Sequence, residues 1–265
     1  MTKLRLDLYL AEQGFFPSRE KAKAAIMAGQ VKINGLKAQK PGQPAPPEGA
    51  DIEIEEKLPF VSRGGLKLAK AINFFALNLE GQTVLDAGAS TGGFTDCALQ
   101  NGAARVIAVD VGYGQLAWSL RNDPRVRVLE RTNIRYLTDL GEKIDFFTAD
   151  LSFISLTKVL PNIYKLVGSE ASGVVLIKPQ FEAGREKIGK KGVIRDPQVQ
   201  VEVLEQMGAF IEAEGWTLKG LTYSPIRGPE GNLEYLAYLD FMRPEKPAVF
   251  AYQEIVRAAW AEAGG

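Results

Sequence analysis

The apolar positions of this chain change their period near residue 60. Before it, Leu6, Leu8, Leu10 and Ala11 begin one helical face, Ser18 stands where a cap is needed for a second helix running through Ile26, and Gly29 ends that helix. Val31-Lys32-Ile33 reads as a short strand, Asn34-Gly35 as a tight turn, and Asp51-Ile52-Glu53-Ile54-Glu55 alternates as a half-buried edge strand does. The intervening stretch from Pro41 to Gly49 holds four prolines and two glycines, which fit neither a helix interior nor a central strand. The pattern predicts a small α+β domain over 1–58, followed by a linker over 59–63.

From Thr83 onward, short apolar runs alternate with helical segments, the signature of a doubly wound, mostly parallel sheet. Expected strands are Thr83 to Asp86, Arg105 to Asp110, Val126 to Glu130, Ile144 to Asp150 and Gly173 to Lys178, with Thr217 to Tyr223 and Tyr235 to Phe241 as a closing antiparallel pair. The fold class is therefore α/β, with about seven strands over 64–245. Pro197 opens a long helix through Glu214, and the tail over 246–265 reads as helical around Glu254 to Ala261.

Composition narrows the chemistry. The 265 residues are 46% hydrophobic and 24% charged, and no apolar run approaches the roughly 18 residues of a membrane span. The start of the chain lacks a signal peptide's apolar stretch, so a cytoplasmic, monomeric protein without a membrane span is expected. Histidine is absent, which excludes histidine bases, Ser-His-Asp triads and histidine-bound metals, and no metal is expected. Lysines and carboxylates must carry any acid–base step. The single cysteine, Cys97, reads as a small packed apolar group. The formal charge is zero, but residues 1–40 hold eight cations against three anions, whereas 41–59 hold one against five.

The first strand of the sheet runs into Asp86-Ala87-Gly88-Ala89-Ser90-Thr91-Gly92-Gly93-Phe94, a glycine-bearing strand-to-helix turn of the kind that binds nucleotides. Its spacing is D-x-G-x-x-x-G and not G-x-G-x-x-G, which favours a nucleoside without a pyrophosphate, such as S-adenosylmethionine, over a nicotinamide dinucleotide. Asp110 ends the second strand, 24 residues after Asp86, where a carboxylate takes ribose hydroxyls, and Asn133 past the third strand is placed to face a base. The cofactor candidates are thus Asp86, Gly88, Ser90, Thr91, Gly92, Gly93, Phe94, Asp110 and Asn133, joined by Asp150. That carboxylate closes the fourth strand as Lys178 closes the fifth, and carboxyl ends of parallel strands are where such sheets do chemistry. Lys67 and Glu234 are two further charges that could join them.

Five ordered motifs carry a resemblance: Ser62-Arg63-Gly64-Gly65-Leu66-Lys67, Asp86 to Thr95, Asp150-Leu151-Ser152-Phe153-Ile154-Ser155-Leu156, Lys178-Pro179-Gln180-Phe181-Glu182 and Asn232-Leu233-Glu234-Tyr235. They resemble the TlyA/haemolysin A family, related to the FtsJ-type ribose 2′-O-methyltransferases, over nearly the whole chain. The resemblance implies a Rossmann-like class I methyltransferase sheet, S-adenosylmethionine as cofactor, ribosomal RNA or ribosomal subunits as partner, ribose 2′-OH (of cytidine) as acceptor, and a catalytic Lys-Asp-Lys-Glu tetrad on Lys67, Asp150, Lys178 and Glu234. Within that tetrad Lys178 either accepts the hydroxyl proton or positions the hydroxyl. A membrane-lysing protein and a catalytically silent RNA-binding assembly factor are the competing readings.

The small domain resembles the S-four-type RNA-binding module. Arg5, Ser18, Arg19, Lys21, Lys23, Lys32 and Asn34 are its candidate contacts, with Arg19 and Lys23 four apart on one helical face. Arg63 and a second basic segment bearing Arg185, Lys187, Lys190 and Lys191 complete the expected RNA surface.

Overall fold

The computed structural model describes residues 4–54, 58–189, 192–241 and 248–263. The chain divides into two compact units, Met1–Leu58 and Pro59–Gly265.

In the first unit, α1 (Leu6–Glu12) and α2 (Arg19–Met27) pack on a three-stranded antiparallel sheet of β1 (Val31–Ile33), β2 (Leu36–Lys37) and β3 (Ile52–Ile54), in the order β2-β1-β3. Ser18 accepts a hydrogen bond from Lys21 N and so caps α2, as its side chain is suited to do. Asn34 and Gly35 both adopt positive φ, the backbone of a tight hairpin turn, and Asn34 Oδ1 accepts from Asp51 N at 2.9 Å. Leu6, Leu10, Ala22, Ala25, Ile26, Val31 and Ala38 form the core.

One charge is buried in this small core. The Asp7 carboxylate, fully shielded from solvent, accepts from Arg5 Nε at 3.0 Å, a second Arg5 nitrogen at 2.9 Å and Arg19 Nε at 3.1 Å. The Arg5 hydrogen bonds, against burial and with help from Arg19, hold its carboxyl down at about 2. A carboxyl so lowered stabilises the fold above its ordinary value of 3.8, and that stabilisation is lost as pH falls through about 2. Asp7→Asn is accordingly expected to destabilise this unit by about 1.5–3 kcal/mol at pH 7, the worth of a charged hydrogen bond. The difference from wild type should shrink between about pH 4 and pH 2. Urea unfolding of the full chain, followed by amide exchange in α1 and α2, checks it; a difference independent of pH overturns it.

The second unit opens with α3 (Gly64–Phe75), then β4 (Thr83–Ala87), α4 (Gly93–Gln100), β5 (Arg105–Val109), α5 (Trp118–Arg121), β6 (Val126–Leu129) and β7 (Phe146–Ala149). It continues through α6 (Leu160–Val167), β8 (Ser172–Ile177), α7 (Pro179–Glu182), α8 (Pro197–Ala213), β9 (Thr217–Tyr223), β10 (Tyr235–Asp240) and α9 (Tyr252–Ala263). The seven-stranded sheet has the order β6-β5-β4-β7-β8-β10-β9, and β10 runs antiparallel to both its neighbours. The other pairs are parallel. Central strands read as apolar runs because helices cover both faces: Leu85, Ile107, Phe147 and Val175 face one core cluster, and Val84, Val106, Phe146 and Val174 the other. Cys97 is buried in the second cluster, and burial pushes its thiol up to about 12, as an inert packed residue requires. The chain adds strands outward on one side of β4 and then on the other, and this reversal of strand order leaves a crevice at the carboxyl ends of β4, β5, β7 and β8.

Two segments differ from the sequence reading. Residues 59–63, expected as a linker, are built into the second unit: Gln100 Nε2 donates to Pro59 O at 3.0 Å, Val61 N donates to Asp96 Oδ2 at 2.8 Å, and the Phe60 ring lies where a side chain on Gly65 would stand. The tail is likewise part of the fold, since α9 inserts Val256 and Ala259 into the larger core and Trp260 Nε1 donates to Gln200 Oε1 at 3.2 Å.

Candidate active site

Four charges distant in the chain meet at the mouth of the crevice. The helix α3 presents Lys67, Asp150 directly follows β7, Lys178 directly follows β8, and the turn before β10 delivers Glu234. Lys67 Nζ lies 3.1 Å from Asp150 Oδ2 and 2.7 Å from Glu234 Oε2, while Lys178 Nζ lies 2.7 Å from Asp150 Oδ1. Lys178 also donates to Ser152 Oγ at 2.9 Å. Two ammonium and two carboxylate groups balance, which is what permits charges this deeply buried to persist.

The pKa directions follow from the same contacts. Burial would lower the Lys67 ammonium, but Asp150 and Glu234 outweigh it and raise it. Burial would raise the Asp150 carboxyl, but Lys67 and Lys178 outweigh it and lower it. Lys67 therefore stabilises the fold until pH climbs above the ordinary lysine range, and Asp150 until pH drops below the ordinary carboxylate range. At neutral pH both contributions are present.

Beside this cluster lies a cavity of about 470 Å³, within the usual range for ligand pockets. Gly88, Ser90, Asp110, Gln115 and Asn133 line it, together with Asp150. Gly88 has φ +86°, and a Cβ there would meet Asp150 O at 2.6 Å, so only glycine lets the turn lie against the end of β7. Asp110 is tied to the turn, accepting from Ser90 N at 2.8 Å and from Gly112 N at 2.7 Å, with lone pairs to spare for a ligand. Asn133 is exposed at the rim, and its Oδ1 caps a short helical turn by accepting from Arg135 N at 3.1 Å. A second cavity of about 500 Å³ contains Lys67, Lys178 and Glu234, with the exposed Arg63 at its edge. Gly88, Ser90, Asp150 and Ser152 form the wall common to both cavities.

Not every candidate reaches a cavity. Asp86 is buried beneath the turn, accepting from Thr95 Oγ1 at 2.6 Å and Thr148 Oγ1 at 2.9 Å, and burial pushes its carboxyl up to about 6 against those two hydroxyls. It braces the turn from below. Gly92, at φ +98°, instead makes room for Leu116 and Leu120, where a Cβ would collide. Thr91, Gly93 and Phe94 border the charged cavity.

The basic candidates divide similarly. Arg5 and Arg19 are half exposed and anchored by Asp7, Lys21 and Lys23 are exposed, and Lys32 lies 4.0 Å from Glu53. Lys187 is paired with Glu202 at 2.7 Å instead of standing free. Arg185 begins a short helical turn over Arg185–Lys187, and Lys190 and Lys191 lie outside the described residues. Sequence reasoning missed Ser152, the hydroxyl on Lys178, and Glu182, whose carboxylate accepts from Ser155 Oγ at 2.5 Å and Leu156 N at 2.9 Å and so ties α7 to the loop after β7. Nothing local distinguishes these residues from other polar residues of their motifs.

The model of the FtsJ-like methyltransferase family matches residues 60–241, the stretch that holds the sheet, both cavities and the four charges. The chain belongs to this family. An S4 domain matches residues 4–51. Among relatives of this FtsJ-like chain, a Bacillus subtilis protein named as a candidate rRNA methyltransferase, YqxC, is 51% identical over 89% of this chain and 85% of its own. The 16S/23S rRNA (cytidine-2′-O)-methyltransferase TlyA of Mycobacterium tuberculosis is 46% identical over 89% of this chain and 90% of its own. A solved structure from Streptococcus thermophilus, described as a candidate hemolysin, is 45% identical, superposes with a TM-score of 0.75, and covers 98% of this chain and 96% of its own. The FtsJ-like fold and family imply use of S-adenosylmethionine. Among the described residues, no helix is long and apolar enough to cross a membrane.

Proposed function

We propose that this protein transfers a methyl group from S-adenosylmethionine to a ribose 2′-oxygen of ribosomal RNA, at cytidine, with the first unit gripping the RNA through Arg5, Arg19, Lys21, Lys23 and Lys32. The observation that carries this reading is the common wall: one cavity has a nucleoside's complement of groups, the next has the four charges, and Asp150 borders both. The names of the relatives supply the acceptor.

The residues present fit the cofactor. Gly88 lets the turn lie against the end of β7 in the cavity wall, and Asp110 is a carboxylate at the strand end where ribose hydroxyls are bound. S-adenosylmethionine, when bound, supplies a methyl carbon made electrophilic by its positively charged sulfur. Lys178 and Ser152 would hold the ribose oxygen for attack, which removes the orientational cost of the displacement. In its amine form Lys178 would take the hydroxyl proton as the ribose oxygen is methylated, and Asp150 and Ser152 would hold the ammonium so formed. Lys67 keeps Asp150 and Glu234 apart in charge and fixed in place.

Tritiated-methyl incorporation into ribosomal subunits, followed by alkaline hydrolysis, tests the reading. Label retained in alkali-resistant dinucleotides is the expected result; no incorporation, or label on bases, overturns it. Gly88→Ala adds a second check. The strained φ and the collision with Asp150 O should weaken S-adenosylhomocysteine binding by roughly tenfold or more in calorimetry. Wild-type affinity would separate the turn from the cofactor.

A further inference from the structure

The rim of the nucleoside cavity continues into a surface that the methyl-transfer site does not use. Three aromatic side chains stand there with most of their area in solvent: Tyr113 at 68%, Trp118 at 76% and Tyr136 at 71% exposure. Single exposed aromatics are ordinary, but these are gathered on one edge of the sheet. Glu130, at the end of the edge strand β6, accepts from Gly114 N at 2.8 Å and pairs with Arg121, which fastens both the Tyr113 loop and α5 to that strand end. Arg131 N donates to Gly112 O at 2.9 Å, which joins the loops after β5 and β6 side by side.

Two guanidinium groups lie on these rings. Arg131 sits 4.1 Å from the centroid of Tyr113, and Arg135 sits 5.2 Å from that of Tyr136. Neither forms an ion pair with any described residue; the nearby carboxylate, Glu130, is committed to Arg121 and a backbone amide. Arg131 holds this place at φ +52°, a conformation that costs a non-glycine residue energy and persists where the surroundings enforce it. A guanidinium stacked on an exposed ring keeps its outer face and its donors open, and those suit a base plane and a phosphate.

We infer that Tyr113, Trp118, Arg131, Arg135 and Tyr136 form a stacking platform for a single-stranded segment of the RNA substrate. The inference rests on the reading that the substrate is RNA, and assigns to this edge of the methyltransferase unit the part of that RNA lying beyond the reacting nucleotide. Stacking serves every base, so the platform adds affinity for unpaired bases without selecting a sequence.

The test compares binding of a 12-nucleotide oligocytidylate with that of an abasic strand of equal length, by fluorescence anisotropy on the full chain. Wild type should prefer the base-bearing strand. Replacing all three aromatics (Tyr113→Ala, Trp118→Ala, Tyr136→Ala) should weaken oligocytidylate binding by roughly thirtyfold or more and leave the abasic strand within about threefold, since aromatic–base stacks carry the difference. Unchanged S-adenosylhomocysteine affinity in calorimetry shows that the variant is folded. Arg131→Lys with Arg135→Lys keeps the charge but not the planar stack, and should weaken oligocytidylate binding while the salt dependence stays as in wild type. Equal binding of both strands by wild type, or unaltered binding by the aromatic variant, overturns the platform; if ribosomal RNA is still methylated, the functional reading stands without it. Self-association of wild type that the aromatic variant abolishes also overturns it, by assigning the edge to a second copy of the chain. Absence of both oligonucleotide binding and methyl transfer removes the platform and the functional reading together.

Discussion

Lys178→Ala should abolish most methyl transfer, with kcat falling by about 10³-fold or more while S-adenosylhomocysteine still binds near its wild-type affinity. General-base removal alone costs roughly 10²–10⁴-fold, and Lys178 also orients the acceptor. The side chain reaches Asp150 and Ser152 from the end of β8 and borders the charged cavity, not the nucleoside cavity, so its loss leaves the cofactor groups in place. Lys178→Arg separates the two roles. Arginine keeps the positive charge and the donors but does not give up its proton at working pH. Activity as low as that of the alanine variant supports proton transfer through Lys178; activity within about tenfold of wild type assigns it positioning alone. Full activity in Lys178→Ala removes this lysine from the chemistry.

The largest structural effect should come from Lys67→Met. The substitution preserves much of the volume but leaves two buried carboxylates, Asp150 and Glu234, without the ammonium that lies 3.1 Å and 2.7 Å from them. Breaking a buried ion pair from one side costs about 3–5 kcal/mol. In a unit of this size that lowers the melting temperature by roughly 10 °C, which calorimetry would read. Adding Glu234→Gln removes one of the stranded charges and should recover part of the loss, as a thermodynamic cycle on the two sites measures. Additive effects would mean that the two side chains do not interact as their separation indicates.

Much of the sheet was legible because a parallel strand covered on both faces is a run of apolar residues with no competing pattern. Val106 to Val109 and Gly173 to Ile177 are such runs, and each strand of the seven-stranded sheet starts within one residue of its expected start except β7, which begins at Phe146 instead of Ile144. Ile144 is buried by packing outside the ladder, so its apolarity extended the reading too far. Strand ends were legible for the same reason: Asp110, Asp150 and Lys178 each follow an apolar run, and polar residues at carboxyl ends of parallel strands border the crevice. Asp86 follows one too, yet points beneath the turn to Thr95 and Thr148, because alternation along a strand separates its two faces without saying which one meets ligand.

Charge counting fared less well. Asp7 entered as one anion among eight cations, and packing made it the anchor of Arg5 and Arg19. Lys187 entered as one cation of a basic segment, and Glu202 on α8 neutralises it. Residues 59–63 looked like a linker because they hold a proline between two differently patterned regions, but Val61 N finds Asp96 thirty-five residues away.

The sequence by itself determined the sheet, the glycine turn and the residue types available for chemistry, since apolar periodicity and backbone permissiveness act over a few residues and are written locally. Only the tertiary structure decided which charges meet, because a Coulombic contact depends on distance in space, and Lys67, Asp150, Lys178 and Glu234 are brought within reach by elements spread over most of the second unit.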